Sequence, residues 1–143
     1  MMGIDSSKLP ERGKWLQMLS DEYQRPIQGR KFYYIIWLLN NTPVGHSNID
    51  KIIFDREAYM HLHIWDISTR RKGAGTEFIK MSLPYYFEKF RLKRLYCQPS
   101  ASNPAPNRIL EKSGFDFIEK YDTTPGWINS YQAVNRWSLD VER

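Results

Sequence analysis

The stretch 60–78, Met-His-Leu-His-Ile-Trp-Asp-Ile-Ser-Thr-Arg-Arg-Lys-Gly-Ala-Gly-Thr-Glu-Phe, constrains this chain more than any other. It reads as a strand, a basic glycine turn and a helix start. Leu62, Ile64 and Trp65 give the strand its apolar, partly β-branched content. Gly73 and Gly75 let the backbone come close to a bulky group. The first turn of a helix leaves its N–H groups without intrahelical partners, and the helix dipole adds partial positive charge. Arg70, Arg71 and Lys72 add full charges, so a phosphate suits the place. On these residues alone, a tight strand-to-helix turn with a solvated charge run would look the same. No Gly-Lys-Ser/Thr follows, which argues against a P-loop. A dinucleotide fingerprint would need a third glycine where Phe78 stands, and no acidic residue ends a second βαβ strand.

With 143 residues, one domain spanning 1–143 is expected. The chain is 41% hydrophobic and 15% aromatic, enough for a core. No apolar run approaches the ~20 residues of a membrane span. Residues 1–11 lack the apolar centre of a signal peptide. A single cysteine, Cys97, excludes an internal disulfide and fits a cytoplasmic protein. The net charge of +5 favours anionic partners, either nucleic acid or a cofactor with several phosphates. The basic residues are spread along the chain, which argues against a dedicated nucleic-acid surface.

Taken in order, residues 9–24 read as a helix with an apolar face of Trp15, Leu16, Met18, Leu19 and Tyr23. Residues 31–39 are dense in apolar side chains and read as a buried strand. Asn40 to Pro43 is a turn, and 44–54 the returning strand of a hairpin. Residues 75–90 are helical, with Ile79, Leu83, Tyr86 and Phe90 forming one apolar stripe. Pro84 is expected to kink this helix or start a new turn. Strands follow at 92–98, 115–121 and 131–139, with a helix after Asn103. Asn103 can cap that helix, with Pro104 at its first position. Gly114 stands where a helix C-terminus wants a left-handed residue, with Phe115 beyond it to pack back. The order is α-β-β-β-α-β-α-β-β, which predicts a mixed sheet with helices on its faces.

The segment 103–115, Asn-Pro-Ala-Pro-Asn-Arg-Ile-Leu-Glu-Lys-Ser-Gly-Phe, resembles the N-x-x-(S/N)-x-x-x-L-E-K-x-G-F helix of the GNAT acetyltransferases. Residues 70–75 resemble that family's (Q/R)-x-x-G-x-(G/A) pyrophosphate turn, in the right order before it. The resemblance covers roughly 31–139 and is strongest to the branch of ribosomal-protein N-terminal acetyltransferases. It implies an α/β fold: a central, mostly antiparallel sheet, splayed at the cofactor site, with helices on both faces. The family's extra N-terminal strand and helix find little room here and are expected to be reduced or missing.

The same resemblance implies acetyl-CoA as co-substrate, no metal, and transfer to a primary amine of a small molecule or protein N-terminus by direct attack in a ternary complex. Arg70, Arg71, Lys72, Gly73, Ala74, Gly75 and Thr76 would wrap the pyrophosphate. Ile64 would lie in the strand that pairs with the pantetheine arm, with His63 and Trp65 as the two backbone-contact positions. Asn103 would hydrogen-bond the arm. Gly75→Trp is expected to fill the pyrophosphate channel and leave the fold intact.

For proton removal, His61 and His63 lie two apart on a strand and so share a face. Imidazole titrates near neutrality, with an unperturbed pKa of ~6.5. The His-Leu-His pair resembles that of arylalkylamine acetyltransferases, in which register only His61 falls on a base position. His61 is therefore the candidate base, with His46 and Glu57 behind it. Many family members carry a tyrosine acid where this chain has Leu110; Tyr121, Tyr131 and Cys97 are substitutes to consider. Trp127 and Tyr131 follow Pro125-Gly126 near the implied acceptor contacts, where packing on the sheet is an equal use for them. Two other readings compete with an enzyme: a catalytically silent GNAT-fold module that binds CoA or acyl-CoA, and a basic nucleic-acid binder. Neither the acceptor nor the state of assembly, a homodimer included, is set by these residues.

Overall fold

The densest apolar run forms β1 (Phe32–Leu39) in the computed structural model, which describes residues 4–65 and 73–141. Its hydrophobicity predicts a buried strand, but β1 is a sheet edge that pairs only with β2 (Thr42–Ile53). Trp37 is buried, while Ile36, Leu38 and Leu39 are exposed. An unbroken apolar run carries no alternation, so it does not say which face is covered. The β1–β2 turn places Asn40 and Asn41 at φ 50° and 62°, left-handed values that asparagine tolerates.

Next come β3 (Glu57–Ile64), α2 (Ala74–Phe90), β4 (Arg94–Cys97), α3 (Pro104–Lys112), β5 (Asp116–Thr123) and β6 (Gln132–Asp140). The six strands form one sheet in the order β1-β2-β3-β4-β6-β5. Only β3 and β4 pair in parallel, and the connection between them contains α2, as a parallel crossover requires. The anticipated α/β architecture is therefore present, with boundaries moved by a few residues.

One sheet face is the core. Trp37, Ile49, Ala58, Met60 and Leu95 are buried there with Ile79, Leu83, Tyr86 and Phe90 of α2 and Leu110 of α3. The stripe read along α2 packs as expected. Pro84 sits inside α2, yet the helix runs through it from Ala74 to Phe90 without ending or restarting. Near it the indole Nε1 of Trp37 donates to Ser82 Oγ at 3.0 Å, and Ser82 Oγ donates to the Phe78 carbonyl at 2.8 Å. Gly114 ends α3 at φ 90°, and Phe115 folds back to donate its N–H to the Leu110 carbonyl at 3.1 Å.

Helix α1 (Arg12–Tyr23) is shorter than its sequence pattern suggests and only half covered. Leu16 and Tyr23 are exposed, while Trp15, Met18 and Leu19 are half-buried. The buried member of its inner face is Glu22. That carboxylate accepts from the N–H groups of Lys31 at 2.8 Å and Phe32 at 3.2 Å, and pairs with Arg25 at 2.9 Å. It thus ties α1 to the start of β1. Trp15 meets Trp127 of the β5–β6 loop, with ring centroids 5.7 Å apart.

Candidate active site

The site grows from the point where β3 outruns β4. Pairing between them ends at Met60 opposite Cys97, whereas pairing with β2 continues to Ile64 opposite Gly45. Gly45 keeps β2 close at this end: a Cβ there would come within 2.5 Å of the His63 carbonyl oxygen and 3.0 Å of Ile64 Cα. Trp65 N–H donates to the Val44 carbonyl at 2.8 Å, so its peptide group faces β2. By strand alternation, so does that of His63. Both positions named for backbone contact thus turn their peptide groups toward β2. The peptide groups turned toward the opening beyond β4 are those of Leu62 and Ile64.

Beyond β3, Arg70, Arg71 and Lys72 lie outside the described residues. Gly73 begins the visible part of the turn at φ 71°, a left-handed value, with open space where a side chain would stand. It precedes α2 without a side-chain cap, so the first-turn N–H groups, including those of Ala74, Gly75 and Thr76, are not capped by it. Gly75 has a different task from the one its motif suggests. A Cβ on it would lie 2.6 Å from Ile109 Cδ1 and 2.9 Å from Ile64 Cδ1. Its missing side chain lets α2 pack on α3 and β3, so a tryptophan there would strike the core before any phosphate channel.

Asn103 is half-buried at the N-cap of α3, but its side chain makes no capping hydrogen bond. Capping is thus not the role of its side chain. Its carbonyl accepts from Asn107 Nδ2 at 2.7 Å. Asn107, not singled out by sequence, is the junction here. Its Nδ2 also donates to the Ser100 carbonyl at 3.0 Å, and its Oδ1 accepts from Asn135 Nδ2 and Trp137 Nε1, each at 2.9 Å. This fixes the start of α3, and with it Asn103, against β6.

The second face of the sheet collects the histidines. His61 Nε2 stands 3.0 Å from Asp50 Oδ1, and both side chains are about four-fifths buried, with 21% and 18% exposed. Asp50 escaped the sequence reading because the contact is diagonal: Asp50 faces Tyr59 in the ladder, while His61 faces Asn48. Only the β2–β3 register reveals it. Gly126 in the β5–β6 loop is buried, and a Cβ there would come within 3.3 Å of His61 Cε1. The loop therefore presses its backbone onto the imidazole.

His46 and His63 face each other across β2 and β3 with ring centroids 5.0 Å apart. His46 Nδ1 accepts from the Trp65 indole at 3.2 Å, and its ring lies against Tyr34. Burial first, then the neighbouring His61, pulls the His46 pKa from 6.5 to about 4, against an opposing hydrogen bond with Asn48. His46 is thus a neutral wall of the cluster rather than a poised base.

The other candidates separate clearly. Burial pushes the Cys97 thiol up to about 12. Leu110 is fully buried in the core. Tyr131 is 73% exposed. Tyr121 donates its hydroxyl to Gln98 Oε1. Glu57 begins β3 opposite Arg94, at the far end of the strand, and pairs with Arg56 at 3.3 Å.

Comparisons with known proteins bear on the family and the fold. Residues 6–116 match the model of the GNAT acetyltransferase domain. Among solved structures, the ribosomal L7/L12 alpha-N-protein acetyltransferase RimL, in complex with coenzyme A, is similar at TM-score 0.75 and 13% identity, covering 94% of this chain and 76% of that one. The Campylobacter jejuni N-acetyltransferase PseH, in complex with acetyl coenzyme A, gives TM-score 0.67 and 14% identity, covering 91% and 79%. A mutant of the Vibrio cholerae spermidine N-acetyltransferase SpeG gives 0.70 and 19%, covering 92% and 76%. At these identities the likeness is one of fold. The family match covers most of the chain, and the chain belongs to the GNAT acetyltransferase family.

Proposed function

We propose that this domain transfers an acetyl group from acetyl-CoA to a primary amine, by direct attack, with His61 as the base. The observation that carries this reading is the His61–Asp50 pair across β3 and β2, at the first residue of β3 beyond its pairing with β4. Acetyl-CoA supplies the thioester when bound. The residues present suit it: a left-handed Gly73 leading into an uncapped helix start, and strand backbone past the end of β4. Arg70, Arg71 and Lys72 would add charge for the phosphates, and Asn103, with no cap to make, would bond the pantetheine arm.

An ammonium must lose a proton before it can attack. In the tautomer that donates Nε2–H to Asp50, His61 presents the Nδ1 lone pair. Asp50 fixes that tautomer and steadies the imidazolium once the proton arrives. The Leu62 peptide N–H, turned away from β2, would meet the thioester oxygen as it gains negative charge. With Leu110 in the tyrosine position and Cys97 held protonated, neither serves as the acid for the departing thiolate, and solvent is its proton source.

Release of CoA thiol, followed with a panel of primary amines, tests the reading. His61→Ala should lower kcat at pH 7 by about 10²-fold or more, the scale of a lost general base. Asp50→Asn should lower it less. Neither should alter stabilisation by acetyl-CoA. Parent-like turnover by His61→Ala removes the histidine from the mechanism.

A further inference from the structure

Arg136 carries a charge that no carboxylate among the described residues balances. It lies on β6, its guanidinium 4.4 Å from the Tyr96 ring centroid, and its Nη2 donates to the Tyr59 hydroxyl at 3.2 Å. Its Nε is buried and has no hydrogen-bond partner. Glu119 stands opposite in the β5–β6 ladder, yet no ion pair joins the two. A half-buried guanidinium that no carboxylate pairs with is unusual, and an anionic ligand at its outer, Nη edge is one way to match the charge.

The surroundings say what kind of ligand. Tyr59 and Tyr96 stack at 5.0 Å, and Lys51 Nζ sits 5.0 Å from the Tyr59 ring centroid. Two cations and a phenol thus converge on Tyr59. Tyr59 is directly opposite Asp50, and it lies two residues before His61 on the same strand and face. Two strand residues span about 7 Å. Tyr59, with the Arg136 guanidinium bonded to its hydroxyl, is therefore the next side chain along this face from His61.

We propose that Arg136, aided by the Tyr59 hydroxyl and Lys51, receives a carboxylate of the acceptor. The acceptor is then a primary amine that also carries a carboxylate, several bonds away from its nitrogen. This rests on His61 acting as the amine's proton acceptor, and the test separates the two claims.

The probes are 5-aminopentanoate and its uncharged amide, at saturating acetyl-CoA. The parent should show a KM for the acid lower than for the amide by about 10-fold or more. In Arg136→Gln that preference should collapse, with stabilisation by acetyl-CoA retained. Arg136→Lys, which keeps charge but loses the fork, should keep part of it. Equal KM values for acid and amide in the parent overturn the proposal and need no variant; so does a preference that survives in Arg136→Gln. Binding of the two probes to CoA-saturated protein, read by thermal shift, needs no turnover. Selective binding of the acid without acetylation would support the carboxylate site and count against the transfer reading. Equal acetylation of both would do the reverse.

Discussion

His46 and His61 are neighbours with opposite assignments. His46 is drawn down to about 4, chiefly by burial. Between that value and 6.5 the unfolded chain binds a proton here that the folded chain refuses. The contribution to stability is therefore complete above pH 6.5 and is lost as pH falls toward 4. The shift corresponds to at most about 3 kcal/mol, and solvent around a half-buried ring reduces it. Urea unfolding at pH 7.5 and pH 5 should show a smaller difference in His46→Gln than in the parent. An identical difference would mean that His46 is not the group being forced neutral. At this scale the sequence was readable where local spacing suffices. His61 stands out because strand side chains alternate, and Gly114 because helices end on left-handed glycines. Asp50, Asn107 and Arg136 were not readable, since each matters through a partner on another strand or helix.

Elements here are fastened by a few polar junctions as well as by the core. Asn107 joins α3 to the β4–α3 connection and to β6 through four hydrogen bonds. Asn107→Ala would leave the buried Trp137 indole N–H without its acceptor, which predicts a loss of about 2–3 kcal/mol in urea unfolding. A loss within about 0.5 kcal/mol, the range of an ordinary surface change, would show that the junction is not structural. Existence and order of elements followed from periodicity, but their covering did not. β1 has the most apolar sequence and lies at the edge, while α1 hides a glutamate on its inner face. Gly75 belongs to the same lesson. Its motif suggests a ligand, whereas its contacts show that two helices and a strand meet there.

Across the whole molecule, the sheet divides the work between its faces. α2 and α3 cover the core face, and the opposite face carries His61, Asp50, Tyr59 and Arg136, with the β5–β6 loop against His61. No helix among the described residues is long and apolar enough to cross a membrane. The net charge of +5 suits a polyphosphate ligand at the glycine turn as well as the carboxylate inferred at Arg136. Thermal unfolding during titration with acetyl-CoA and CoA, with ATP and a short DNA duplex as comparators, tests the cofactor assignment on which the rest depends. Ligand at about 100 times its Kd should add ~2.7 kcal/mol of stability. The prediction is stabilisation by both CoA species well beyond that from ATP or DNA; a folded protein that responds to neither acetyl-CoA nor CoA would contradict it.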